Sequence, residues 1–190
     1  MEDTKSKILK AALKLFEKKG YVGASVNDIL KEAGVTKGSF YHYFQSKDDL
    51  LFLIHDEFIE YELQMANKVI SCQKLTCKEK LRRLNLVVWD SLHKYKENFS
   101  IFFQESKYIE NDKFTNIRLK REQFERCFTQ VIDEGIKKGE FRKDIDSKLT
   151  AFGIFGMCAW GVHWYRPDGK LSIEEIAQEY FDMIFEGITI

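Results

Sequence analysis

A single proline, Pro167, interrupts 190 residues in which apolar side chains recur at spacings of three and four. No stretch alternates apolar with polar residues over the length of a strand. An all-α fold follows. Residues 4–19 place Ile8, Ala12, Leu15 and Phe16 along one side of a helix that should stop at Gly20. Ser25 with Asp28 is a capping pair for the next helix, which Gly34 ends, and Thr36 can cap a third. Ser46 with Asp49 repeats the capping pattern and opens a fourth helix to about residue 70. Later helices are expected over about 77–96, 98–109, 113–138 and 146–165, and Ser172 with Glu175 caps a last one to about 187. Breaks should fall at Asn98, near residues 111–112, at Gly139 and at 166–169. The expectation is nine helices: an N-terminal three-helix domain over 1–47 with a helix-turn-helix, and a larger helical domain over 48–190.

Composition narrows the function classes. Hydrophobic residues make up 44% and charged residues 32% of the chain, the balance of a globular protein rather than a disordered one. The formal net charge is zero, which weighs mildly against a nucleic-acid binder. The charge is unevenly spread, however. Residues 1–52 hold nine Lys, no Arg and seven acids, a net of +2, and the first arginine is Arg82. A nucleic-acid contact by this part must use Lys, hydroxyls, His, Tyr and backbone N–H groups. The bidentate arginine–guanine contact is excluded.

The stretch from Ser25 to Leu50, SVNDILKEAGVTKGSFYHYFQSKDDL, carries the strongest signal. Val26, Ile29, Leu30 and Ala33 form an inward stripe, Gly34 can take positive φ, and Val35 can plug the angle between helices. Phe40 and Phe44 are four apart and share a face that must point inward. Lys37, Ser39, Tyr41, His42 and Tyr43 are thereby turned outward. Such an exposed surface suits phosphates and base edges better than water. Gly38 leaves the backbone open to close approach. The N–H groups at the start of the fourth helix, beside Ser46 and Lys47, are expected to form a phosphate site.

Residues 4–52 resemble the N-terminal DNA-binding domain of the TetR family of transcriptional regulators. The matching positions are Ile8 to Phe16 with Gly20 and Tyr21, Ser25 to Ile29, Ala33 to Val35, Gly38 to Phe44, and Lys47 to Leu51. The resemblance implies a homodimeric regulator, usually a repressor, on a palindromic double-stranded DNA operator. A small molecule in the second domain would change the spacing of the two reading heads, with the fourth helix as the link. The family's operator contacts would fall on Thr36, Lys37, Gly38, Ser39, Tyr41, His42 and Tyr43, with Ser25 and Lys47 holding phosphates. The absence of arginine departs from many relatives and shifts the expectation toward phosphate and methyl contacts.

The second domain is rich in aromatics, including Trp89, Tyr95, Phe99, Phe102, Phe103, Phe124, Phe128, Phe155, Trp160 and Trp164. An apolar effector cavity would draw on Trp89, Phe102, Phe103, Phe128 and Trp160. Residues 149–165 are apolar except for Thr150 and His163 and contain three glycines, which fits a core or interface helix rather than a membrane span. Phe152, Gly153, Gly156, Ile176, Tyr180 and Ile184 are the expected dimer contacts, through a four-helix bundle of the last two helices and their symmetry mates. Residues 139–146 and 164–169 are similar to TetR members that respond to acyl thioesters such as acyl-CoA. That would require an apolar tunnel with Arg82, Arg83, Arg118, Arg121 or Arg126 near its mouth; drug-like or lipid-like hydrophobic effectors are equally compatible.

Other classes fare worse. The histidines His42, His55, His93 and His163 have no metal-ligand or nucleophile–base spacing, so no enzyme, cofactor or metal is expected. Cys72, Cys77, Cys127 and Cys158 form no CxxC and read as reduced thiols. No signal peptide opens the chain, so a cytoplasmic, non-membrane protein is expected. The alternative is a helical interaction adaptor that uses the same motif on a protein partner without binding DNA.

Overall fold

The computed structural model describes residues 3–105 and 115–189, with the side chains of 102–105 outside that description. Among the described residues there are nine helices and no strand: α1 (Thr4–Gly23), α2 (Val26–Ala33), α3 (Lys37–Tyr43), α4 (Lys47–Ile70), α5 (Cys77–Lys94), α6 (Lys96–Glu105), α7 (Thr115–Lys138), α8 (Ser147–Trp164) and α9 (Ile173–Ile188). The all-α expectation holds. The signals that end these helices are local. Gly20 breaks α1 with φ 72°, and Gly34 closes α2 in the left-handed region with φ 64°. Of the three capping pairs expected from sequence, Ser25 with Asp28 and Ser172 with Glu175 form full capping boxes, and at the third the Ser46 amide donates to the Asp49 carboxylate. The break expected near residues 111–112 lies outside the described residues.

One helix boundary differs. The break expected at Asn98 falls instead at Tyr95, and Asn98 sits inside α6. Its buried side-chain amide donates to the carbonyl of Ile54 at 3.0 Å, so the residue serves as a cross-helix tie rather than a terminator.

The chain packs as two compact units, residues 1–59 with 95–118, and residues 60–94 with 119–190. In the first, α1 packs on α2, α3 and α6 around Ile8, Ala12, Phe16, Ile29, Phe40 and Leu50. Tyr95 and Phe99, grouped from sequence with the aromatics of the second domain, instead pack against Phe58 here, with Phe99 at a ring separation of 5.1 Å. In the second unit, α5 packs on α8 and α9. Asn85 ties the three together: its amide donates to the Ala177 carbonyl at 2.8 Å, and its oxygen accepts from the Cys158 thiol at 3.7 Å. All four cysteines are unpaired, and no helix among the described residues is long and apolar enough to cross a membrane.

Candidate nucleic-acid interface

The expected reading head is assembled in the first unit by α2, the turn and α3. Phe40 and Phe44 are both buried, with rings 5.7 Å apart. They fix the roll of α3, which leaves Lys37, Tyr41, His42 and Tyr43 exposed on the other side. Tyr41 is 50% and Tyr43 42% exposed, unusual values for large aromatic rings on so short a helix. The Lys37 ammonium lies 5.9 Å from the centre of the Tyr41 ring, and the His42 and Tyr43 rings meet edge to face at 4.7 Å. Gly38 is exposed, and the nearest atom to a Cβ placed there would be Thr36 Oγ1 at 3.9 Å, so the backbone is open to a ligand.

The hydroxyls named from sequence are engaged in holding the motif. Thr36 Oγ1 accepts from the Ser39 N–H at 3.2 Å and shares a hydrogen bond with Ser39 Oγ at 3.0 Å. Ser25 Oγ accepts from the Asp28 N–H and donates to the Asp28 carboxylate at 2.8 Å. The Ser25 backbone N–H donates to the same carboxylate at 3.0 Å, and that bond first, then the Ser25 hydroxyl and the Lys19 charge, hold the Asp28 carboxyl below the usual carboxylate range. Lys19 bridges to Asp28 at 3.5 Å, and Lys14 pairs with Glu32, so α1 grips α2 at two points.

The start of α4 differs from the sequence expectation. The amides of Gln45 and Ser46 both donate to the Asp49 carboxylate, at 2.7 and 3.0 Å, and Asp48 and Asp49 occupy the first turn. An anion already caps this helix, and it belongs to the chain. Lys47 turns inward. Its ammonium donates to the carbonyls of Tyr21 and Ala24, at 2.6 and 2.9 Å, and lies over the Tyr21 ring, whose hydroxyl donates to Asp48.

The second unit redistributes the other expected residues. Trp89 and Phe128 are fully buried, and Phe128 stands in a ring cluster with Phe124 and Phe155. Trp160 is 64% exposed and meets the His163 ring at a tilt, 4.5 Å between centres, so it belongs to the outer surface of α8 and not to an interior wall. The side chains of Phe102 and Phe103 lie outside the described residues. A groove of about 420 Å³ is lined by Asn67, Ile70, Ser71, Lys80, Gln130, Val131 and Glu134, none of which was expected from sequence. Arg82, Arg83, Arg118, Arg121 and Arg126 all have exposed side chains.

Of the expected dimer contacts, Ile176 and Ile184 are buried within the protomer, on the face of α9 that packs on α5. They are removed from that set, because a core position has no surface to offer a partner. Phe152, Gly153 and Gly156 are exposed, and Tyr180 is half-buried against Trp89 and Trp164. With Leu149 at 70% exposure and Trp160, Phe152, Gly153 and Gly156 draw an apolar line along α8. Sequence periodicity could not separate core from surface here, because an apolar stripe on α9 and an apolar α8 serve either role.

The sequence matches the tetR family of bacterial regulatory proteins over residues 8–54 and the tetracyclin repressor-like C-terminal domain over residues 74–188. The HTH-type transcriptional repressor KstR2 of Rhodococcus jostii is 29% identical over 187 residues, covering 97% of this chain and 91% of the relative. The structure of the ketosteroid transcriptional regulator KstR2 of Mycobacterium tuberculosis superposes with a TM-score of 0.91 at 25% identity, over 100% of this chain and 97% of that one. AibR in complex with isovaleryl coenzyme A and operator DNA gives a TM-score of 0.83 at 25% identity, over 96% and 98% of the two chains.

Proposed function

Given that this chain belongs to the tetR family of bacterial regulatory proteins, we propose that it represses transcription in the cytoplasm by binding a palindromic operator as a homodimer. It is a helix-turn-helix regulator and not an enzyme. In this reading residues 1–47 form the reading domain and 48–190 the effector and dimerisation domain. Lys37, Gly38, Tyr41, His42 and Tyr43 meet the operator, Thr36 and Ser39 hold the start of α3 against it, and Ser25 presents the start of α2 to a phosphate. Lys47 acts by placement, through its two carbonyl bonds to the end of α1. A small hydrophobic effector, an acyl-CoA among the candidates, binds in the second domain beside Trp89 and Phe128 and alters DNA affinity. Phe152, Gly153, Gly156 and Tyr180, with Leu149 and Trp160, form the self-complementary face.

The observation that carries the reading is the roll of α3: two buried phenylalanines on one side, a lysine, two tyrosines and a histidine on the other. The test is fluorescence anisotropy with an inverted-repeat duplex taken from upstream of the chain's own gene, alongside sedimentation. Two chains of 22.4 kDa should sediment together at about 45 kDa and bind with an affinity that falls steeply with salt. A monomer at micromolar concentration, or binding indifferent to salt, would overturn it. An effector should raise the melting temperature and lower operator affinity together.

A further inference from the structure

The 420 Å³ groove of the second unit is lined by a buried cation that no part of the DNA reading uses. Lys80 on α5 is 8% exposed and lines the groove together with the buried Val131 of α7. Among the described residues its ammonium makes no hydrogen bond. Its ion-pair partner, Glu134 Oε2 on the same groove, stands 3.9 Å away, beyond hydrogen-bond length. The other Glu134 oxygen is already met: Lys138 donates to Oε1 at 2.6 Å. That bond first, then the Lys80 charge, hold the Glu134 carboxyl below the usual carboxylate range, so it is ionised. At the exposed rim stand the amides of Asn67 and Gln130 and the hydroxyl of Ser71, whose proton goes to the Lys68 carbonyl. Half-buried Ile70 adds apolar surface beside them.

A mostly buried ammonium is costly until hydrogen-bond acceptors complete it, and here the space beside it is open. We propose that this groove is a ligand site in its own right and takes the carboxylate of a small organic acid with a short apolar tail. Lys80 is the head-group cation, the Asn67 and Gln130 amides donate beside it, and Ile70 and Val131 cover the tail. The site goes beyond the regulator reading and does not depend on it, since none of the residues assigned to the operator or to the effector lines this groove. The charges choose the head group. A carboxylate gives Lys80 the charge-assisted bond that Glu134 is too far away to give. A phosphate would bring two negative charges to one ammonium, beside the ionised Glu134. An alkylammonium would meet Lys80 with a like charge, and a Glu134 already held by Lys138. An uncharged hydroxyl would leave the ammonium without an anion. The volume lies toward the lower end of the range for small-molecule sites, which limits the tail.

The experiment uses the full-length protein without DNA and four probes that share one hexyl chain: hexanoate, hexyl phosphate, hexylammonium and hexanol. Methyl NMR locates binding through the Ile70 and Val131 methyls, and the indole signal of Trp89 reports on the interior instead. Hexanoate at millimolar concentration should shift the two methyls and leave the indole in place. It should bind about tenfold or more tighter than hexanol and hexylammonium, and tighter than hexyl phosphate. Lys80→Met, which keeps the length of the stem, should cost hexanoate about tenfold or more and remove its lead over hexanol. Gln130→Ala changes only the exposed rim and should cost about threefold, so it carries the test if Lys80→Met fails to fold in circular dichroism melts. The assignment is overturned if hexyl phosphate binds best, if hexanol matches hexanoate, or if folded Lys80→Met binds hexanoate as the wild type does. It is equally overturned if hexanoate moves the indole and not the methyls, or if no probe moves the methyls, which would leave Lys80 to water and Glu134 alone.

Discussion

The ammonium of Lys47 donates to the backbone carbonyl of Tyr21 at 2.6 Å and stands 4.2 Å from the centre of that residue's ring. A second bond from the same ammonium reaches the Ala24 carbonyl, and the Tyr21 hydroxyl donates to Asp48. The first residues of α4 are therefore fastened to the end of α1 at the point where Gly20 has broken that helix. The carbonyls freed by the break would otherwise face a partly buried site unmet. Side chains from the next domain-forming helix meet them instead.

Lys47→Met should therefore act on placement. Loss of two carbonyl partners in a half-buried site should cost about 1–3 kcal/mol in urea unfolding. Operator affinity should fall with it, at least tenfold. The slope of log affinity against log salt should stay the same, because no phosphate contact has been removed. A slope reduced by about one would show instead that Lys47 neutralises a phosphate directly.

Tyr41→Ala and Tyr43→Ala should separate binding from folding. Both rings are largely exposed, and their neighbours Phe40 and Phe44 hold the helix without them. Stability should change by about 0.5–1 kcal/mol at most, and operator affinity should fall about tenfold to a hundredfold. Lys37→Ala should weaken all duplexes alike and lower the salt slope by about one. Wild-type affinity for the operator from either tyrosine variant would remove α3 from the interface.

Much of the reading head was legible in the sequence because its devices are local. Caps act over three residues, the Phe40–Phe44 pair over four, and Gly34 declares its own backbone angle. What was missed depends on distant neighbours. Asn98 reads as a breaker until Ile54 supplies its acceptor. Lys47 reads as a phosphate ligand until α1 folds back beneath it. Ile176 and Ile184 could not be told from interface residues, since a core face and a dimer face share one apolar pattern. Trp160 failed for the converse reason: an exposed tryptophan and a buried one look alike on a helix that is apolar all round.

The glycines of α8 allow that ambiguity to be tested. A Cβ at Gly161 would meet Leu92 Cδ2 at 2.7 Å and Trp89 Cζ3 at 2.8 Å. Gly161→Ala should therefore overpack the protomer core and cost about 1–3 kcal/mol. A Cβ at Gly153 or Gly156 would meet nothing within 4 Å. Replacing either with alanine should leave the isolated protomer unchanged or up to about 1 kcal/mol more stable, through helix propensity. If α8 pairs with its symmetry mate, Gly156→Ala should weaken the dimer in sedimentation while the protomer's melt holds. A dimer unaffected by Gly153→Ala, Gly156→Ala and Phe152→Ala would place the self-association face elsewhere.

Glu62 gives the chain a pH dependence with a definite sign. Its carboxyl moves from an unfolded value of 4.5 up to about 8 in the folded protein, chiefly through burial. Between those values the folded state holds a proton that the unfolded state has released. Stability from this group is thus complete below pH 4.5, declines as the pH climbs, and is gone once the folded group ionises above about 8. Glu62→Gln cannot titrate and keeps the shape and the contact with Ser91. The variant should match the wild type near pH 5 and exceed it increasingly toward pH 8, by on the order of 3 kcal/mol, with no further gain beyond. Urea unfolding across that range measures the difference, and the comparison cancels the other titrating groups, including the buried Cys77 thiol that burial and nearby carboxylates push up to about 11. Parallel stability curves for the two proteins would mean that Glu62 is ionised in the fold, with the Arg121 charge outweighing its burial.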